Sequence, residues 1–167
     1  MFRKSYNISA LKASLYDVDN FSLKQWLYEN TTYKIFKYNK EKLNVNNVLD
    51  NGLARSLIFK EDKLISFSPR KSINLEIFKT LTNNESVYAE EFIEGTMINL
   101  FFDKDFHNWM IATKSSIGGK MSYILGRKTF EELFWDSFKN QGLNLEEFNK
   151  NYVYSLVFQH PENRYVI

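Results

Sequence analysis

The chain contains no cysteine, which excludes disulfide staples and thiolate metal sites together. Histidine is scarce as well: His107 and His160 lie far apart without ligand spacing, so a zinc site is not expected. No apolar run reaches membrane-spanning length. The opening Met1-Phe2-Arg3-Lys4-Ser5-Tyr6 leads into polar sequence and not into the hydrophobic stretch of a signal peptide, so an intracellular, cytoplasmic protein is expected. One-sided charge is missing too. Twenty-two basic and twenty acidic side chains leave a formal charge of +2, too little for a bulk field to hold nucleic acid; binding of that kind needs a local cluster. The cations are mostly lysines, and the arginines are Arg3, Arg55, Arg70, Arg127 and Arg164. An arginine beside an apolar strand has a planar fork suited to phosphate or carboxylate, although an ordinary surface cation is the commoner account of any one of them.

What is present is a core. Apolar residues make up 44% of the 167 positions and aromatics 17%, which argues against disorder and for one domain over residues 1–167. Residues 7–30 read as mainly helical: Ser22 with Gln25 forms a capping-box pattern, and Leu23, Trp26 and Leu27 then share one helical face. Thr32 to Tyr38 alternates as a strand, and Asn39 to Gly52 reads as loop with a short helical turn. Leu53–Phe59 and Leu64–Ser68 read as a hairpin around the charged turn Lys60-Glu61-Asp62-Lys63, with Pro69 ending its second strand. Asn74 is placed to cap a short helix carrying Leu75, Ile77, Phe78 and Leu81.

A second group of strands is expected over Val87–Ile93, Met97–Phe102 and Trp109–Thr113, broken at Gly118-Gly119. Thr129 with Glu132 makes another capping box, and Phe130, Leu133, Phe134 and Phe138 form a helical stripe of the kind that packs a core; Gly142 closes it. A short helix over Leu145–Phe148 and a strand over Tyr152–Phe158 precede the turn His160-Pro161-Glu162-Asn163. Grouped, hairpin-joined strands with helices between them predict an antiparallel α+β domain.

Four stretches in this order resemble the adenylylation domain of bacteriophage RNA ligases of the RNA ligase 1 class. They are Thr32–Asn39; Ala54-Arg55-Ser56-Leu57-Ile58-Phe59 with Ser66–Lys71; Glu94-Gly95-Thr96 with Ala112-Thr113-Lys114-Ser115-Ser116; and Pro161-Glu162-Asn163-Arg164-Tyr165-Val166. Similar strings occur in proteins of large DNA viruses, so a viral source would fit. The resemblance implies an antiparallel-sheet nucleotidyltransferase fold with flanking helices, ATP and Mg²⁺ as cofactors, and RNA ends as partners. It places Arg55 and Lys71 at phosphates, Tyr38 near the nucleotide, Lys114 as a further phosphate contact, and Glu94, Gly95 and Arg164 at the site, with Gly95 allowing close backbone approach. Read from the residues alone, Lys71 and Lys114 are equally solvated strand ends, Tyr38 equally a packing residue, and Arg164 equally a structural tie to Glu162 or Asp136.

The same comparison shows what is missing. The family's nucleophilic lysine falls at Phe92, whose ring has no lone pair to attack an α-phosphate. A carboxylate expected four residues before Pro161 is Val157. No catalytic residue is assigned; Lys71 is the one substitute nucleophile considered. Three functions remain open at this level: an RNA ligase-like nucleotidyltransferase with impaired catalysis, a non-catalytic module binding nucleotide or RNA ends, and an interaction protein whose cavity is filled by Phe92 and Phe101.

Overall fold

The computed structural model describes residues 8–81, 87–122 and 126–163. It is an α+β structure with two antiparallel sheets and few helices. A first sheet runs in the order β1 (Phe21–Tyr28), β2 (Thr31–Tyr38), β3 (Leu57–Lys60), β4 (Lys63–Phe67), each strand joined to the next by a turn or loop. The second sheet has the order β6-β5-β7, from β5 (Thr96–Asp103), β6 (Asn108–Ala112) and β7 (Tyr154–Phe158). The helices are α1 (Ser9–Lys12), α2 (Leu75–Leu81) and α3 (Phe130–Asn140).

Alternation sorts the strand residues onto faces. On the first sheet Tyr33, Ile35 and Ile58 point inward, joined by Trp26 and Tyr28, and meet Phe101, Met110 and Ala112 of the second sheet. On its outer face Phe21, Phe36, Leu57 and Phe59 are covered by Leu11, Leu15 and Leu53. The second sheet turns Ile98, Leu100, Ile111 and Phe158 outward onto Leu133, Phe134 and Phe138 of α3. The capping box at Thr129 and Glu132 and the stripe of α3 form as expected, and Gly142 follows the helix at φ 67°. The result is two sheets face to face, with chain packed on both outer faces.

A polar node pins the two sheets. Asp103, at the end of β5, is buried at 4% exposure. Its Oδ2 accepts from the Tyr33 hydroxyl at 3.0 Å and its Oδ1 from the N–H of Asp105 at 2.9 Å. Lys60 reaches the same carboxylate at 3.4 Å and Asp105 at 2.6 Å. Burial, reinforced by the Asp103 charge, pushes the Tyr33 phenol well above its usual range, so it stays a donor. For Lys60, burial opposes the charge but the bonds and charges of Asp105 and Asp103 outweigh it, and its pKa is raised.

Two expected elements do not form. The helix over 7–30 is confined to Ser9–Lys12, and Phe21–Tyr28 is a strand paired residue by residue with β2, from Phe21↔Tyr38 to Tyr28↔Thr31. The hairpin turns at Glu29 and Asn30, both at positive φ (44° and 64°), which suits the twist of a two-residue hairpin. Leu23, Trp26 and Leu27 mimic a helical face, but Leu23 and Leu27 are exposed and Trp26 packs inward beside Tyr33. The second is the strand over 87–93, whose residues are exposed and pair with none of the described residues. Smaller shifts are the starts of β3 at Leu57 and β7 at Tyr154, and the short 3-10 turn over Leu145–Glu147 in place of a helix. The α2 helix forms with Asn74 accepting from Ile77 N–H, yet Leu75 and Phe78 stay exposed. No helix among the described residues is long and apolar enough to cross a membrane.

Removing the node should cost stability. Tyr33→Phe is expected to lower the unfolding free energy by about 1 kcal/mol and Asp103→Ala by about 3 kcal/mol, measured by urea denaturation. Because the Lys60 pKa lies above its ordinary 10.5, its contribution is fully present below that pH and is lost as pH rises through the higher folded value. The stability difference between the native chain and Lys60→Met should therefore persist to pH 10 and close only in stronger alkali.

Candidate functional site: a cationic end of the sheet pair

At the end opposite Asp103, β2, β4 and β6 finish while β3 and β5 begin, as the antiparallel registers require. Chain ends collect there, and so do four of the residues singled out above. The N–H of Tyr38 donates to the carbonyl of Ala54 at 2.6 Å, fixing the end of β2 beside Arg55. The N–H of Lys71 donates to Gly52 at 2.9 Å, which folds the segment after β4 back onto the same loop. Its ammonium turns to Ser72, donating to the carbonyl at 3.1 Å and the hydroxyl at 3.2 Å.

Lys114 follows β6 on a tight turn. Thr113 N–H bonds the Ser116 carbonyl at 2.9 Å, the two hydroxyls meet at 2.7 Å, and Ala112 bridges Ile117. From the first sheet Lys24 donates to the Ser115 carbonyl at 3.1 Å, so both sheets hold this turn. The Lys114 ammonium sits 5.5 Å from the Tyr38 ring centroid, within cation–π reach. Burial first, and then the charges of Arg55, Lys37, Lys40 and Lys71, push its pKa below the ordinary lysine value. Among the described residues neither Lys114 nor any of these four cations is in an ion pair with a carboxylate. Four cations thus act on Lys114, an arrangement that disfavours the folded state and favours a multiply charged anion.

Arg55, Lys71, Lys114 and Tyr38 are therefore brought together. Lys37 and Lys40 join them, and the sequence reading missed both. Their only signal was position on either side of Tyr38, in a chain where lysine is everywhere.

Glu94 and Gly95 belong to a different contact. A Cβ on Gly95 would lie 2.6 Å from the carbonyl oxygen of Phe158 and 2.6 Å from Val157 Cγ1, so glycine is needed where β5 meets β7. The close approach expected of Gly95 is thus an approach to β7. Glu94 is exposed, and its carbonyl accepts from Gln159 Nε2 at 2.7 Å. Beside them Asn163 is buried and donates to Thr96 Oγ1 at 2.6 Å, which ties the Glu-Gly-Thr stretch to the Pro-x-Asn stretch. Arg164 lies outside the described residues; Glu162 and Asp136, its expected partners, are both held by Lys128 at 2.8 and 2.9 Å.

Phe92 is 86% exposed, while Phe101 is buried between the sheets, so the two do not share a cavity. Two surface hollows lie elsewhere. One of about 400 Å³ opens beside Lys60 and Lys150, the other of about 470 Å³ between α3 and β7; Tyr38, Arg55, Lys71 and Lys114 line neither. No family model, curated protein or solved structure matches the chain.

Two substitutions separate the roles. Gly95→Ala should destabilise by about 2 kcal/mol in chemical denaturation, because the clash is with backbone. Lys114→Gln should do the reverse in the ligand-free protein, raising the thermal midpoint by ~1–2 °C once solvent screening is allowed for.

Proposed function

We propose that the chain is an RNA ligase-like domain that grips the phosphate groups of a nucleotide or an RNA end and does not itself transfer AMP. One observation carries this reading: Tyr38, Arg55, Lys71 and Lys114, from three separate stretches of sequence, converge at one end of the sheet pair, and among the described residues none of the three cations is in an ion pair. Arg55 offers a two-pronged grip on phosphate oxygens, and the lysines add point charges. The Tyr38 ring gives a base or ribose a flat surface beside the Lys114 ammonium.

ATP is the ligand the resemblance implies, and the cations are suited to its phosphates. Mg²⁺ fits less well. Among the described residues no three carboxylates or imidazoles gather to hold a metal ion, so Mg²⁺ would arrive bound to the phosphates. Covalent transfer lacks its usual agent: Phe92 is no nucleophile, and it stands on an exposed segment.

Thermal-shift titration with ATP and Mg²⁺ tests the binding. At a ligand concentration of 100 Kd the gain should be ~2.7 kcal/mol, and Arg55→Ala with Lys114→Ala should abolish it. Incubation with labelled ATP followed by denaturing electrophoresis should leave the protein unlabelled. A midpoint indifferent to nucleotide would overturn the proposal, as would retained label. Lys114 also sets a pH dependence, because its depressed pKa means that it gains its charge only as pH falls through that lowered value. Affinity for ATP, measured at rising alkaline pH, should fall before lysines of ordinary pKa deprotonate.

A further inference from the structure

Residues 87–93 and the outer edge of β7 pose the same problem from two sides. The segment Val87-Tyr88-Ala89-Glu90-Glu91-Phe92-Ile93 has strand composition, but none of its backbone groups is paired among the described residues. Its large side chains face water: Tyr88 is 85% exposed, Phe92 86%, Ile93 58% and Val87 56%. Among the described residues β7 pairs with β5 along one edge only and its other edge meets no strand, and Val157 on β7 is exposed. An unpaired strand and an unpaired edge on one molecule are both templates for β pairing.

The two are adjacent, and between them lies an apolar hollow. Gln159 anchors the segment at Glu94, and Ile93 stands on the rim of the cavity of about 470 Å³ floored by Phe134, Phe138 and Leu156. That cavity has room for an aromatic ring, and Phe92 projects into solvent beside it. Its lining holds no carboxylate and one imidazole, His160, whose Nε2 lies 3.6 Å from Asp136.

We propose that this face is a dimer interface between two copies of the chain, in which residues 87–93 of each copy add as a strand to the free edge of β7 of the other. A two-fold axis satisfies both needs at once: each copy supplies a strand to its partner and receives one, and each Phe92 enters the partner's hollow. The inference does not depend on the phosphate-binding reading, because it uses none of the cationic residues.

The test is molar mass by light scattering on a size-exclusion column, over a series of protein concentrations. The native chain should give twice its 19.9 kDa mass at the higher concentrations and dissociate on dilution. Phe92→Asp and Val157→Lys should each give the single-chain mass with an unchanged far-ultraviolet circular dichroism spectrum. Leu75→Asp, at an exposed apolar position on α2, should still double. Three results would overturn the proposal: a single-chain mass for the native protein throughout the series, doubling that survives both interface substitutions, or doubling lost with Leu75→Asp.

Discussion

Burial of the inner face of the first sheet against the second is the constraint on which the rest depends. Tyr33, Ile35 and Ile58 have almost no exposure, and they reach that state only because Phe101, Met110 and Ala112 lie opposite. Neither sheet is stable alone with such a face in water. The Asp103 node adds direction to this nondirectional packing. A carboxylate taken out of water must find donors, and Tyr33 and Lys60 of the facing sheet supply two, so the sheets meet in one register.

Once the sheets are stacked, the character of the two ends follows from strand direction. The end with Asp103 has its charges paired, since Lys60 lies between two aspartates. The other end receives Tyr38, Arg55, Lys71 and Lys114 without an ion pair among the described residues, and burial, joined by the neighbouring cations, lowers the pKa of Lys114. A fold that keeps an unrelieved charge cluster gives up some stability for it, as sites that wait for a ligand commonly do. The α3–β7 side carries a second unrelieved feature of the opposite kind, exposed apolar surface and unpaired backbone.

Much of the fold was legible in sequence, and the failures have one cause. The helix at Phe130 was readable because its capping box, apolar stripe and closing glycine all report the same local structure. The hairpin of β3 and β4 was readable for the same reason, with a charged turn between apolar runs. Phe21–Tyr28 was misread because Leu23, Trp26 and Leu27 fit helical spacing, while its partner β2 lies beyond a turn that lacks glycine. Residues 87–93 have strand composition but no strand partner among the described residues. A strand is defined by its neighbour, which sequence periodicity does not contain.

The candidate site divides along the same line. Arg55 was conspicuous by residue type, and Tyr38, Lys71 and Lys114 by motif order; Lys37 and Lys40 carried no local mark. Gly95 was recognised as a point of close approach, though what it approaches, the carbonyl of Phe158, is set by strand pairing. By itself the sequence determined the α+β alternation, the composition of each face and the absence of an amine at position 92, because these are properties of single residues and short spacings. The tertiary structure alone decided which cations share an end of the sheet pair and which edge is left open. Charge–charge repulsion and β pairing act between residues distant in the chain, and only folding sets those distances.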